Sequence, residues 1–236
     1  MMDADSLCYS SLKEEDGEEV VAFMAEHFFP REPLSTGLHM TYEDNKEWIH
    51  GSVQEWARSG MSVVARYPAT GRLAGTLLGT ILTHQQPNTY QQALNSPKTK
   101  VKTLHTVLSV LEAAVDFLRA TSVWTASWSW HDHGVGADGP ALVTGLRRVP
   151  WFPQESEQRG RQLGCQLATA QATAVPSQRL LYRLGYESLY TMDYTTFEIA
   201  GDRVFDVDKM LGTPCAKVMA RLITPDQQDV SDPAVE

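Results

Sequence analysis

Apolar side chains recur every three to four residues in three long segments of the chain, which is the spacing of a helix with one buried face. These segments are 17–29, 42–59 and 104–118. Pro30 is predicted to end the first helix, because proline cannot continue the helical hydrogen-bond ladder. Glu112 is expected on the polar face of the third helix.

Alternating apolar and polar positions predict strands between these helices. Residues 61–66 and 72–82 form a predicted hairpin around a Pro-Ala-Thr-Gly turn. Further strands are predicted at 7–12, 124–130, 167–173, 187–199 and 214–223. A short helix lies between the strand ending at Thr173 and the helix stop at Gly185. The order of elements indicates a one-domain α/β chain with a mixed sheet.

Two segments obey no period. Residues 131–153 are rich in glycine and proline between otherwise regular elements, and residues 224–236 are polar and acidic. We therefore predict one domain over 1–223, with an atypical segment at 131–153 and a flexible tail at 224–236.

Composition narrows the classes of function. The 236 residues carry a formal charge of −9, which argues against nucleic acid as a partner and would attract cationic ligands such as amines. No apolar run is long enough to cross a bilayer. Cys8, Cys165 and Cys215 are far apart and form no CxxC, and no signal segment opens the chain, so we expect a cytoplasmic protein with reduced thiols and no membrane partner.

Residues 173–186 carry the most specific motif, in which Leu181-Tyr-Arg-Leu-Gly-Tyr ends a strand–corner–helix unit. It resembles the Leu-Tyr-x-x-x-Gly-Phe signature that closes the acyl-CoA N-acyltransferase (GNAT) fold, a mixed central sheet flanked by helices. The resemblance implies acetyl-CoA as acyl donor, with Ser177 and Tyr182 binding near its thioester and Tyr182 protonating the thiolate. The structural alternative is that Ser177 is an N-cap and Tyr182 a partly buried surface tyrosine.

A second motif lies at the end of the first predicted helix, where Phe28-Phe-Pro-Arg-Glu-Pro-Leu34 resembles the Phe-Phe-x-x-Glu-Pro-Leu signature of invertebrate arylalkylamine (dopamine-type) N-acetyltransferases. The resemblance implies that Glu32 is the general base, acting through water on an amine of the dopamine, serotonin or tyramine class. It also implies that Thr173 and Ser177 are the paired hydroxyls of the reacting corner. No metal is expected. The alternative for Glu32 is a solvated loop acid.

The chain departs from this family at the acyl-CoA phosphate loop, Gln/Arg-x-x-Gly-x-Gly/Ala. The nearest candidate, Arg159–Gly164, leaves too little room for a following helix, and 154–163 is better interpreted as the tail of that helix. The strand–loop–helix region is therefore predicted to be degenerate or replaced, with 131–153 as a non-family insert. Alternative functions are a GNAT-fold binding protein or variant without catalysis, and an acetyltransferase for another amine such as a polyamine or a protein N-terminus.

Overall fold

A computed structural model describes residues 7–82, 94–115, 125–131 and 151–223. Within these residues the strands are β1 (Cys8–Ser11), β2 (Val63–Arg66), β3 (Leu73–Leu82), β4 (Thr125–His131), β5 (Leu167–Ala172), β6 (Glu187–Asp193), β7 (Glu198–Ile199), β8 (Asp202–Arg203) and β9 (Cys215–Leu222). Seven of them form one sheet in the order β1-β2-β3-β4-β5-β9-β6, and β7 pairs with β8 in a separate hairpin.

The helices are α1 (Gly17–Phe23), α2 (Pro33–Gly37), α3 (Tyr42–Arg58), α4 (Thr99–Ala113), α5 (Trp151–Gln162) and α6 (Val175–Arg183). The chain leaves α1 through a π-helical turn, Met24–Phe28, and a 3₁₀ turn, Phe29–Arg31. Two further 3₁₀ turns lie at Glu14–Asp16 and Val207–Lys209.

The β4–β5 pair is the parallel pair in an otherwise antiparallel sheet. Its ladder covers the four pairs from Thr125↔Leu167 to Trp128↔Ala170. Beyond it, β4 stays paired with β3 as far as His131 and β5 with β9 as far as Ala172. The carboxyl ends of β4 and β5 are therefore bound to their outer neighbours and not to each other, which opens the sheet at its centre.

The two faces of the sheet carry different helices. Strand β5 alternates small apolar side chains toward α6 with polar side chains toward α4: Ala170 belongs to the core cluster of Leu181, whereas the Gln171 amide donates to the Leu108 carbonyl at 3.4 Å. Helices α1 and α3 pack on β2 and β3 through Val53 and its neighbours. Because successive side chains of β5 point to opposite faces of the sheet, this strand contributes to a separate core on each face.

The predicted order of elements and the GNAT-type architecture are confirmed, with four corrections. Pro30 does not stop the first helix but lies inside the 3₁₀ turn. The third predicted helix occupies Thr99–Ala113, and its Glu112 is half-buried because it lies one turn beyond Leu108 on the packed side. The predicted strand 187–199 ends at Asp193 and gives way to the separate hairpin.

The fourth correction concerns the strand–loop–helix region. We predicted that this region is degenerate or replaced, with 131–153 as a non-family insert, but β4 supplies a strand before residues 132–150 and α5 supplies a helix after them. Both are present, so that part of the region is not replaced. The connecting residues 132–150, which hold most of the proposed insert, lie outside the described residues, as does the predicted tail.

Candidate active site

Glu32 begins a short helix in the protein interior. The backbone is extended at Glu32 (φ −91°, ψ 121°), as expected for a residue before proline, and Pro33 opens α2. The Glu32 carboxylate caps this helix, accepting from the Leu34 N–H at 3.0 Å and the Ser35 N–H at 2.6 Å. Its exposed fraction is 6%, which excludes the alternative of a solvated loop acid.

The environment of Glu32 raises the pKa of its carboxyl through two opposing kinds of contact. Burial raises its pKa, because the charged form loses hydration. Hydrogen bonds from the Leu34 and Ser35 backbone, and then from the Thr173 and Ser35 side chains, oppose that rise without cancelling it. A buried carboxylate with a raised pKa is a stronger base than a surface carboxylate, which is what proton abstraction requires.

Thr173 meets Glu32 from the other end of the sequence. It follows the last residue of β5 at the sheet's open centre, and its hydroxyl is a hydrogen-bond partner of the Glu32 carboxylate. The structure thus brings together two of the predicted catalytic residues.

Ser177 lies one helical turn beyond this corner. Its hydroxyl donates to the Ala174 carbonyl at 2.7 Å, and the side chain is half-buried. Helix α6 is capped at Ala174 and not at Ser177, so the N-cap interpretation of Ser177 is wrong. Ser177 stands four residues after Thr173, in the first turn of α6.

Tyr182 lies apart from this group. Its hydroxyl accepts from the Lys217 ammonium at 3.1 Å over β9, on the far side of β5 from β4, and its exposed fraction is 48%. The Lys217 hydrogen bond is the main cause that lowers the Tyr182 pKa. In the GNAT signature the tyrosine precedes the glycine by four residues, whereas Tyr182 precedes Gly185 by three, and the position four before is the buried Leu181. One residue turns a side chain by about 100° around a helix, which explains the surface position of Tyr182.

Two residues at the corner were missed in the sequence. Tyr194 directly follows β6, is 2% exposed, and donates its hydroxyl to the Thr173 carbonyl at 2.9 Å. Thr213 is 5% exposed, and its hydroxyl accepts from the Val175 N–H at 3.4 Å. The alternation that placed Tyr194 in a strand was the available signal for its burial. The neighbouring residues in the sequence did not indicate what the Tyr194 and Thr213 side chains would contact.

The segment in which the family has its phosphate loop lies between β4 and α5. Arg159 and Gly160 lie in the second half of α5, where the Arg159 guanidinium donates to the Gly60 and Ser62 carbonyls at 3.4 Å. The prediction that 154–163 is the tail of this helix is confirmed up to Gln162, and Leu163 and Gly164 form the turn that follows it.

Solved structures with the same fold cover nearly the whole chain. Arylalkylamine N-acetyltransferase 2 from Aedes aegypti matches with a TM-score of 0.78 at 18% identity, over 93% of this chain and 100% of that one. An agmatine N-acetyltransferase in its apo form matches at 0.74 with 24% identity, over 92% and 100%. The polyamine N-acetyltransferase of Drosophila melanogaster matches at 0.73, also with 24% identity, over 92% and 100%. No protein-family model and no curated protein matches the sequence.

The sheet order, the open β4–β5 pair and these comparisons together define the class of fold: the chain has the GNAT fold of N-acetyltransferases. Across its described part, we find no helix with the length and apolar character that a membrane crossing needs. Cytoplasmic location and exclusion of nucleic acid stay predictions from composition.

Proposed function

We propose that this chain is an N-acetyltransferase that transfers the acetyl group of acetyl-CoA to the primary amine of an arylalkylamine of the dopamine, serotonin or tyramine class. The observation that carries the proposal is the buried Glu32 carboxylate hydrogen-bonded to Thr173, where the β4–β5 ladder has ended. The GNAT fold supports acetyl-CoA as the acyl donor, and similar structures named for arylalkylamine and agmatine acetylation support an amine acceptor.

The amine must first lose a proton. An alkylammonium is protonated near pH 7 and has no lone pair for attack. Glu32 accepts that proton through a water molecule, and its raised pKa makes this transfer more favourable. The free amine then attacks the thioester carbonyl directly, the C–S bond breaks, and CoA thiolate leaves.

The leaving thiolate must then gain a proton. Ser177 is proposed as the donor at the corner, and Tyr182 as the alternative donor. The Lys217 ammonium favours Tyr182 by making its phenol more acidic, whereas the position of Tyr182 over β9 favours Ser177. The variants Ser177→Ala and Tyr182→Phe distinguish the two candidate donors. Where protonation of the thiolate limits the rate, the variant that lacks the true donor should lose more turnover than the other. Ser177 and Tyr182 are also the residues proposed to bind the thioester end of acetyl-CoA.

The test of Glu32 uses the variant Glu32→Gln, which keeps a carbonyl oxygen for the helix cap but cannot accept the amine proton. We expect kcat/KM to fall by about 10²-fold or more at pH 7. The loss should shrink as pH rises, because free amine then accumulates without the base. In the parent protein the acidic limb of kcat/KM should report a pKa above the ordinary glutamate value of 4.5, since burial raises it; the variant should lack that limb.

Glu26→Gln is the matched control, because Glu26 lies in the preceding π turn with 77% of its side chain exposed. It should retain the parent rate and pH profile. Equal rates for the parent protein and Glu32→Gln at pH 7 would remove Glu32 from the mechanism.

The class of amine is decided by a competition panel. Dopamine, serotonin and tyramine are compared with agmatine, spermidine and a peptide with a free N-terminus. A higher kcat/KM for agmatine or spermidine would keep the chemistry and overturn the arylalkylamine assignment. If no amine is acetylated, calorimetric titration with acetyl-CoA separates a GNAT-fold protein that binds the donor without catalysis from one that does not bind it.

A further inference from the structure

We propose that Tyr194 is a positioning residue for the acetyl-transfer site: its hydroxyl holds the Thr173 backbone so that the Thr173 side chain stays against the Glu32 carboxylate. The inference rests on the proposed function for its kinetic part and on the geometry of the corner for the rest. It assigns a role to a buried tyrosine that the mechanism above does not use.

Tyr194 is held by one contact at its backbone and another at its ring. Its backbone N–H donates to the Pro214 carbonyl at 3.0 Å, and the ring meets Phe205 edge-on with 5.0 Å between centroids. The hydroxyl therefore reaches Thr173 from a rigid base. At 2.9 Å its bond to the Thr173 carbonyl has ordinary geometry for an O–H donor.

The corner needs this support because the strand ladder has ended there. The pairing of β5 with β9 runs to Ala172, so Thr173 is the first residue beyond it. The Thr213 hydroxyl accepts a hydrogen bond from the Val175 N–H, two residues further along the chain. Tyr194 thus supplies the anchor that the sheet no longer provides at the residue whose side chain touches Glu32.

The Tyr194 hydroxyl remains a donor throughout the working pH range. Burial raises its pKa well above 10, and the negative charge of Glu32 raises it further, with a smaller contribution from Cys215. That electrostatic coupling also indicates that the phenol and the Glu32 carboxyl are close. A neutral phenol can donate to a carbonyl next to a carboxylate, whereas a phenolate would be repelled.

Removing the hydroxyl should act on Glu32 through Thr173. Without its anchor, the Thr173 hydroxyl donates less well to the carboxylate, and one of the bonds that lower the Glu32 pKa is weakened. The pKa of Glu32 should therefore rise, and the acidic limb of kcat/KM should move to higher pH. Other titratable groups on the elements around α2 are Arg31, the His39–Asp206 pair at 3.1 Å, and Asp208 and Lys209 on the Val207–Lys209 turn, all of which the substitution leaves unchanged.

The experiment compares Tyr194→Phe, Thr173→Val and the double variant. We expect Tyr194→Phe to reduce kcat by about 3- to 10-fold, the scale of one hydrogen bond, while KM for acetyl-CoA stays within about twofold of the parent value. The acidic limb should move upward in both single variants. The double variant should shift no further than Thr173→Val alone, because both changes act on the same contact.

Tyr190→Phe is the matched control, since Tyr190 is a half-buried tyrosine on the same face of β6. It should change neither the rate nor the acidic limb. An unmoved limb in Tyr194→Phe, or single-variant shifts that add in the double variant, would overturn the inference. So would a loss of folded protein with no change in the pH profile of the remainder.

A second readout separates this inference from the proposed function. Carbon-13 labelling of glutamate side chains lets the Glu32 carboxyl be titrated by NMR in the absence of substrate, assigned by its absence in Glu32→Gln. A higher Glu32 pKa in Tyr194→Phe supports the positioning role even if no amine is acetylated. An unchanged pKa refutes it even in an active enzyme.

Discussion

A buried ion pair between Glu157 and Arg221 ties the helix that follows the phosphate-loop region to the sheet. Glu157 on α5 is 2% exposed and pairs with the Arg221 guanidinium of β9. Arg221 also donates to the Leu184 carbonyl at the end of α6, and the Tyr186 hydroxyl donates to the Glu157 carboxylate at 3.3 Å. One side chain thus joins α5, β9 and the end of α6.

The variant Arg221→Met should destabilise the protein strongly, because it leaves the Glu157 carboxylate buried with the Tyr186 hydroxyl as its remaining described donor. Removing one partner of a buried pair costs about 3–5 kcal/mol. Since 31% of the Arg221 side chain is exposed, water already reaches the pair, and we expect about 3 kcal/mol. For a chain of this size that corresponds to a fall in Tm of about 6–12 °C.

Urea unfolding followed by circular dichroism measures the free energy of unfolding. Adding Glu157→Gln to Arg221→Met should recover most of the loss, because no charge then stays buried. Arg58→Met is the matched control: Arg58 pairs with Glu14 at 3.3 Å, but both side chains are more than half exposed, and we expect a loss below about 1 kcal/mol. A loss below about 1 kcal/mol for Arg221→Met, or a double variant less stable than the single one, would refute this reasoning.

Two further predictions concern α2 and the surface pair of Tyr182 on α6 with Lys217 on β9. Gly37→Ala should cost about 1–3 kcal/mol of stability in urea unfolding, because a Cβ there would clash with the sulfur of the buried Met210. The loss in the double variant with Met210→Ala should be smaller than the sum of the two single losses, because the shorter side chain removes the clash; full stability of Gly37→Ala would contradict the packing described. Lys217→Met should raise the Tyr182 pKa, because the ammonium hydrogen bond lowers it, and NMR titration of ring-labelled tyrosine measures the change; an unchanged pKa would show that the pair does not form in solution.

The regular elements could be predicted because their causes are local. Helical spacing of apolar residues indicated α3 and α4, and the Gly185 stop was confirmed by its positive φ of 81°. Two wrong predictions also have causes that can be found in the nearby sequence. Glu112 was assigned to the polar face although its spacing from Leu108 turns it toward the core, and the Tyr182 motif was accepted with one residue too few before the glycine.

The sequence by itself determined the α/β order of the elements, because helical spacing, alternation and turn residues depend on neighbours close in the chain. Its short motifs also singled out Glu32, Thr173 and Ser177 as candidate site residues. Tertiary structure alone decided that Glu32 is buried, that Thr173 donates to it and that Tyr194 supports Thr173. Those contacts join α2, the end of β5 and the end of β6, which are far apart in the chain. Burial and the pKa of a carboxyl depend on what surrounds it, and strand pairing across the sheet supplies those surroundings.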